Sequence, residues 1–476
     1  MIDSVLGARF GQITVRSGNR FANPHIGQTG GHGLTVKTMT EVTLEQPNWH
    51  RLVWRLAIPV ILSNISVPLL GMVDTAVMGQ LDAPYYIGAV AVGTLIFTYI
   101  YWGFGFLRMG TTGFTAQAYG AGNTAEMRAT FQRGLILAAV ISVVVLLLQF
   151  PILAFGRWAI DAGPEVESLA STYFQIRVWG APAALANYVV LGWLLGRQQV
   201  RVALLLQVFL NGLNIVLDVG FVVGLGWGVE GVAVGTVIAE YATAAAGLWL
   251  IARTLRRLPD TAPRAKLLDT VQLRRMITVN GDIFIRTLCL ITAVAYFTAR
   301  GAEQGDVVLA ANAILMQLFM LVSHGLDGFA HVAEILVGSA VGARDRTQLR
   351  RAVAVTTIWS ALVATVFALA YALLGGPFID LMTVLPAVRD QAKDFLPWMI
   401  VMPLVGIWAF QFDGVFLGAT RTKALRNGMI LSLGTLVLAN TVLMPLWGNH
   451  GLWLSLVAFM TMRSAILIVR YPALVR

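Results

Sequence analysis

The chain has 476 residues, of which 57% are hydrophobic and only 12% charged. A soluble globular protein carries roughly 25% charged residues, so this composition excludes one and points to an integral membrane protein. The formal charge of +10 sits in short basic loops and reads as membrane topology rather than nucleic-acid binding. Cys289 is the single cysteine, which excludes an internal disulfide and any cysteine-based zinc or iron–sulfur site.

Residues 1–48 differ from the rest of the chain. The first 40 are polar and glycine-rich and lack the apolar core of a signal peptide. They are expected to be disordered, or untranslated if Met39 is the start. About twelve apolar spans come after them, at 51–79, 85–117, 127–152, 167–196, 202–226, 230–252, 272–299, 307–340, 348–374, 390–418, 425–446 and 450–470. Most are long enough to cross ~30 Å of hydrocarbon as helices. Alternating barrel-type segments are absent. Loops after even-numbered spans hold most of the Arg and Lys, including Arg128, Arg197, Arg257, Arg275, Arg350 and Arg421. Positive-inside bias then places both termini in the cytoplasm, and the setting expected is a bacterial inner membrane.

The chain is also a tandem duplication. Gly79 and Gly301 are 222 residues apart (301 less 79), and the same offset pairs Phe97 with Phe319, Gly120 with Gly342, Gly192 with Gly414 and Gly196 with Gly418. An even number of spans per repeat gives both halves one orientation, a parallel repeat about an axis along the membrane normal. The fold expected is all-α, with two six-helix lobes, 49–252 and 272–476, around a V-shaped cleft. Residues 253–271 would be a cytoplasmic linker. Rocking such lobes would alternate access to the cleft.

The first span holds one carboxylate, Asp74, deep in an apolar run. An ionised Asp in hydrocarbon is expensive, so Asp74 is expected to take up and release an ion, H⁺ before Na⁺. In the fifth span Gln207, Asn211, Asn214 and Asp218 fall on one helical face. With Asp74 that stripe could form a pocket of two acids and an amide. Two nearby acids in a low dielectric do not both ionise easily, which suits proton exchange. Thr236 and Asn187 are weaker candidates for this ion-coupling pocket, each alternatively an interhelical hydrogen bond. By the 222 offset, Asp74 aligns with Tyr296 and Asp218 with Asn440, so the coupling chemistry is expected in the first lobe.

The eighth span carries a second stripe, His324, Asp327, His331 and Glu334. One helix cannot wrap a metal with four ligands over three turns, so no metal is expected. The stripe should line the central cavity or pair with Arg108 and Arg286. Asp282 stands four residues before Arg286, a favourable ion-pair spacing. Asp413 is a further buried acid. Gln207, Asn211, Arg108, Met72, Met316, Asp327 and His331 are the candidate substrate-cavity residues, Met being suited to an adaptable apolar wall. There is no Walker loop, no Gly-x-Ser-x-Gly and no His-Glu-x-x-His. This argues against an enzyme or primary pump, and no cofactor beyond the coupling ion is expected.

At 54–79 the run WRLAIPVILSNISVPLLGMVDTAVMG resembles the first helix of the multidrug and toxic compound extrusion (MATE) family. The runs FLRMGTTGFTAQAYGA at 106–121, GWLLG at 192–196, LDGFA at 326–330 and GATR at 418–421 resemble its DinF branch. The resemblance covers about 50–470. It implies a twelve-helix antiporter that expels amphiphilic, often cationic, compounds in exchange for H⁺ or Na⁺. The family's first-helix coupling Asp falls on Asp74, its fifth-helix Asn-x-x-x-Asp on Asn214 and Asp218, and an associated sixth-helix Thr on Thr236. There are two departures. Leu70 stands where some relatives have Tyr, and the seventh-helix acid that other branches use for Na⁺ has only Asp282, near the helix start. The second favours H⁺. Related flippases of lipid-linked precursors are the alternative reading, distinguished by a strongly cationic cavity. Small amphiphilic or cationic substrates and the bilayer are the partners expected, with no nucleic acid, around a monomer.

Overall fold

The computed structural model describes residues 48–79, 83, 85–160, 163–258, 267 and 269–475; at 67–70, 72, 74, 75, 159 and 160 only the backbone is described. The polar N-terminal extension and most of the proposed linker lie outside the described residues. The regular structure among the described residues is helical throughout. Lipid offers backbone N–H and C=O groups no partners, so each spanning segment must satisfy its own.

The first half comprises α1 (Trp49–Met78), α2 (Tyr85–Gly103), α3 (Phe106–Gly120), α4 (Thr124–Leu147), α5 (Gln149–Ile160), α6 (Pro164–Arg177), α7 (Ala181–Gly196), α8 (Val200–Asp218) and α9 (Val229–Arg257). The second comprises α10 (Thr270–Ala302), α11 (Asp306–Gly342), α12 (Arg346–Met382), α13 (Pro386–Gly418), α14 (Thr422–Arg470) and the short α15 (Pro472–Val475). Ten stretches among the described residues are long and apolar enough to cross a bilayer. To these are added α1, with 30 residues, and a second span inside α14. Helix α14 has 49 residues, and at 1.5 Å per residue a straight helix of that length would reach about 70 Å, about twice the bilayer. It instead reverses at Gly448, where φ is 54° and ψ −131°. A Cβ at Gly451 would overlap the carbonyl of Leu443, so the two arms of this hairpin need a glycine there. That makes twelve spans.

The halves are built alike but interrupted differently. The second span bends at Phe104-Gly105 between α2 and α3, whereas its repeat mate α11 is one helix of 37 residues. The fourth span breaks into α6 and α7 around a 3₁₀ turn at Val178–Gly180, whereas its mate α13 keeps Pro397 and Pro403 inside one helix. The fifth ends in a π-helical turn, Val219–Gly224, immediately after Asp218; such turns commonly mark functional positions.

Repeat symmetry extends to the loops. Asn123 caps α4 by accepting from Glu126 N, and Asp345, its mate at the 222 offset, caps α12 by accepting from Gln348 N. Positive φ values pair in the same way: Gly122 (63°) with Arg344 (56°), and Gln198 (61°) with Thr420 (52°).

The lobes meet where the two repeats present small residues to each other. A Cβ on Gly120 of α3 would overlap the carbonyl oxygen of Ser339 on α11, and one on Gly342 would overlap that of Gln117. Gln117 and Ser339 are themselves 222 apart, so the duplicated Ala-x-Gly-Ala motif packs on its own copy. Within each lobe the same logic recurs. Gly192 faces the carbonyl of Arg108, and its mate Gly414 faces that of Ala330; Gly196 faces Thr112, and its mate Gly418 faces Glu334. Lipid supplies no hydrophobic drive between helices, so close backbone approach through small residues replaces it.

This seam lies at the end of the bundle that carries the basic loops. Gln117 Nε2 donates to Gly418 O at 2.9 Å and to Thr420 Oγ1 at 3.1 Å, and Arg275 donates to Thr420 Oγ1 at 2.8 Å. Two helices straddle it. The start of α1 packs on the second lobe, with Trp54 edge-on to Phe329 at 5.4 Å, while its later part packs on α8. The start of α10 mirrors this on the first lobe, Arg275 lying over the Phe114 ring at 5.2 Å, and its middle continues the contact, Phe284 meeting Phe106 at 5.9 Å.

Because the group facing each seam glycine is backbone, it cannot yield as a side chain would. Gly120→Val should therefore separate α3 from α11 and cost about 1–3 kcal/mol. In a Cys289→Ser background, Ser339→Cys should react with a maleimide several-fold faster when Gly120→Val is added. An unchanged labelling rate would show that the seam is not held by this contact.

Candidate functional site

The fifth-span stripe turns inward, as its spacing predicts. Asp218 is fully buried at the end of α8, and Asn214 Nδ2 donates to its Oδ1 at 3.1 Å. The same amide donates to Thr236 Oγ1 on α9 at 3.2 Å, while the Thr236 hydroxyl donates to Val232 O at 2.8 Å. The roles are consistent: threonine gives its one proton to the backbone and accepts from the amide. Gly235 provides the room, since a Cβ there would overlap Asp218 Oδ1. The Asp74 and Met72 side chains lie outside the described residues, although their backbone belongs to α1.

Gln207 and Asn211 continue the stripe toward α1 rather than toward the central cavity. Gln207 donates to Asn211 Oδ1 at 3.0 Å, and Asn211 donates to Ser66 Oγ at 2.9 Å. They tie α8 to α1. Asn187 is separate from Asn214: it donates to Glu240 O at 3.1 Å, one turn further along α9 than Thr236.

The central cavity, about 350 Å³, is walled largely by the second lobe. Arg108, Met316, Asp327 and His331 line it, as do His324, Arg286 and Arg463. Arg286 and Arg463 both donate to Oδ2 of Asp413, which bridges α10 and α14 from α13. This supplies the partner that the sequence left open for Asp413. It also corrects the expected Asp282–Arg286 pair. Asp282 accepts from Arg426 at 2.7 Å and from Thr422 at 2.9 Å, because spacing along one helix does not compete with better-placed donors on a packed neighbour. Glu334 is fully buried behind the wall, with His331 Nδ1 3.4 Å from its Oε2. A larger cleft, about 750 Å³, lies at the basic-loop end among Arg274, Arg275, Arg421, Lys423 and Arg470, and Asp282 is its one lining acid among the described residues.

The sequence reading missed two features. Arg463 is one. The other is a bidentate pair inside the first lobe, in which Arg177 Nη1 and Nη2 lie 2.8 and 2.5 Å from the two carboxylate oxygens of Glu240. Phe97 and Tyr101 rings cover the guanidinium at 5.2 and 5.5 Å. The signal was available, since Arg177, Glu240 and Arg463 each interrupt an apolar run.

The MatE family model matches residues 59–219 and 285–446, one copy in each half of the chain. DNA damage-inducible protein F of Escherichia coli (strain K12) is 41% identical over 411 residues, 86% of this chain and 89% of that protein. A probable multidrug resistance protein NorM of Rhizobium meliloti (strain 1021) is 25% identical over 339 residues, 68% of this chain and 71% of that protein. A solved outward-facing structure of a multidrug resistance MATE family transporter of the MOP superfamily superposes with a TM-score of 0.79 at 20% identity, covering 90% of this chain and 96% of that one. At that identity the match speaks for the fold.

Removing one partner of a buried ion pair leaves the other charge uncompensated, at a cost of about 3–5 kcal/mol. Glu240→Gln should destabilise the protein by that order in detergent unfolding, while the double variant Arg177→Met/Glu240→Leu should recover most of it. A Glu240→Gln protein as stable as wild type would remove the pair from any structural role.

Proposed function

Because this chain belongs to the MatE family, we propose that it is a secondary antiporter that exports amphiphilic or cationic toxic compounds in exchange for H⁺ by alternating access. The observation that carries the reading is the buried Asn214–Asp218–Thr236 cluster, set where α8 passes into its π-helical turn. A carboxylate so placed is a functional group by default in a membrane.

The repeat supports placing Asp74 in the same cluster. Its mate at the 222 offset is Tyr296, and the mate of Asp218 is Asn440. Asn440 Nδ2 donates to Tyr296 Oη at 3.1 Å. By that equivalence Asp74 would act with Asp218 across the α1–α8 seam, which the Asn211–Ser66 bond already ties together. Proton uptake by either acid removes a charge from this seam. The start of α1 packs on the second lobe, so a change there can alter how the lobes, 49–252 and 272–476, sit on each other. Asp282, the nearest acid to a seventh-span ion site, is held by Arg426 and Thr422, which favours H⁺ over Na⁺.

Positive-inside bias puts the basic-loop end, where Gly120 and Gly342 bring the lobes together, in the cytoplasm with both termini, in a bacterial inner membrane, the protein acting as a monomer. The candidate substrate site is the central cavity. Its volume of about 350 Å³ suits a drug-sized ligand, while its three lining arginines, Arg108, Arg286 and Arg463, are the feature that the flippase alternative calls for.

In proteoliposomes with an imposed proton gradient, Asp74→Asn and Asp218→Asn should each abolish uphill substrate movement while leaving substrate–substrate exchange. Thr236→Ala, which removes one neutral hydrogen bond, should slow it about threefold to tenfold. Uphill transport by Asp218→Asn, or transport driven by Na⁺ alone, would overturn proton coupling at this cluster.

A further inference from the structure

We infer that the central cavity receives the anionic head group of an amphiphile, on a cradle of three guanidinium groups. The inference rests on the exporter reading above and names the substrate class that the cavity fits.

Three arginines line this cavity from three different spans, Arg108 on α3, Arg286 on α10 and Arg463 on α14, against one lining carboxylate, Asp327. Two further acids stand behind the wall. Asp413 gives one oxygen to both Arg286 and Arg463, and Glu334 faces His331. Arg286 and Arg463 are 8% and 3% exposed, and among the described residues no group accepts from Nε of either. The Arg108 guanidinium forms no hydrogen bond or ion pair with any described residue, although Asp327, His331 and Glu334 lie within its electrostatic range. The Nε atoms of Arg286 and Arg463 have essentially no accessible surface, so the donor open to a ligand is the Arg108 fork, with Arg286 and Arg463 adding their charge beside it. A carboxylate, sulfonate or phosphate supplies two or three oxygens at once, and planar guanidinium forks match that geometry.

The rest of the wall is apolar. Phe297, Phe319, Phe410 and Phe459, with Met316 and Met460, face the same space. Such a wall accepts an aromatic or alkyl body of variable shape. The charged groups that the second lobe contributes have no charged mates at the 222 offset: Arg286 corresponds to Asn64, Asp327 to Gly105 and Arg463 to Tyr241. The second lobe thus carries a charged site that the duplication did not give the first.

Equilibrium binding to the full-length protein in nanodiscs tests this, with 1-anilinonaphthalene-8-sulfonate, its uncharged parent N-phenyl-1-naphthylamine and the cation ethidium as probes. Discs without protein supply the partition background. In discs of phosphatidylcholine the sulfonate should bind at least about tenfold tighter than the uncharged parent, the worth of one charge-assisted contact. Arg108→Gln should remove that advantage and leave the parent unchanged, while Arg108→Lys should restore part of it. Asp327→Asn should leave sulfonate binding equal or tighter. Arg108 holds no ion pair among the described residues, so an unchanged melting temperature should accompany its variants. Replacing part of the lipid with phosphatidylglycerol separates two sources of the head group: competitive loss of the sulfonate assigns the cradle to a lipid head group, and retention assigns it to a free organic acid. Equal binding of sulfonate and parent, or ethidium bound more tightly than the sulfonate and lost in Asp327→Asn, would overturn the inference. No gradient is needed, so failure here leaves proton coupling standing, and failure of coupled efflux leaves this result standing.

Discussion

The architecture depends on helices approaching backbone to backbone in a solvent that gives them no hydrophobic reason to associate. Gly120 on Ser339 and Gly342 on Gln117 are the points where this is tightest between lobes. Each is one half of a symmetric contact, so a single duplicated motif builds both sides of the seam. The seam is joined chiefly by backbone contact and a few hydrogen bonds from Gln117 and Arg275, with a shared apolar cluster around Leu107, Val332 and Val415.

Around that seam the two lobes have divided their polar chemistry. The first lobe holds the Asn214–Asp218–Thr236 cluster and the Arg177–Glu240 pair; the second holds the Arg286–Asp413–Arg463 bridge with Asp327, His331 and Glu334 around it. Buried charge is tolerated in hydrocarbon when paired or lining a cavity; the Arg177–Glu240 pair and the Arg286–Asp413–Arg463 bridge meet the first condition and Asp327 the second. Since α1 and α10 each begin on the opposite lobe, neither cluster is isolated from the seam. A change of charge in one lobe has a continuous packed route to the surface that the other lobe rests on.

Much of the fold was legible in the sequence because membrane physics leaves few alternatives. Apolar length marked the spans and basic loops marked their alternation. The 222-residue offset revealed the repeat and paired Gly120 with Gly342 and Gly192 with Gly414, the positions where backbones touch. The fifth-span face from Gln207 to Asp218 followed from helical periodicity alone. The charged interruptions at Arg177, Glu240 and Arg463 were equally visible, but a lone charge in an apolar run does not announce its partner.

What the sequence by itself determined, then, is everything that depends on period, length and internal repetition: twelve spans, two like lobes and an inward-facing polar stripe. Pairing was decided only by the tertiary structure. Asp282 stands one turn from Arg286 yet bonds Arg426, and Arg286 reaches across to Asp413, 127 residues away. Gln207 and Asn211 tie α8 to α1, while the cavity takes its cations from α3, α10 and α14. The reason is geometric. Helical spacing fixes which face a side chain is on, but a buried charge binds whichever opposite charge the packing of neighbouring helices brings within hydrogen-bond reach, and that is a property of the bundle rather than of any one helix.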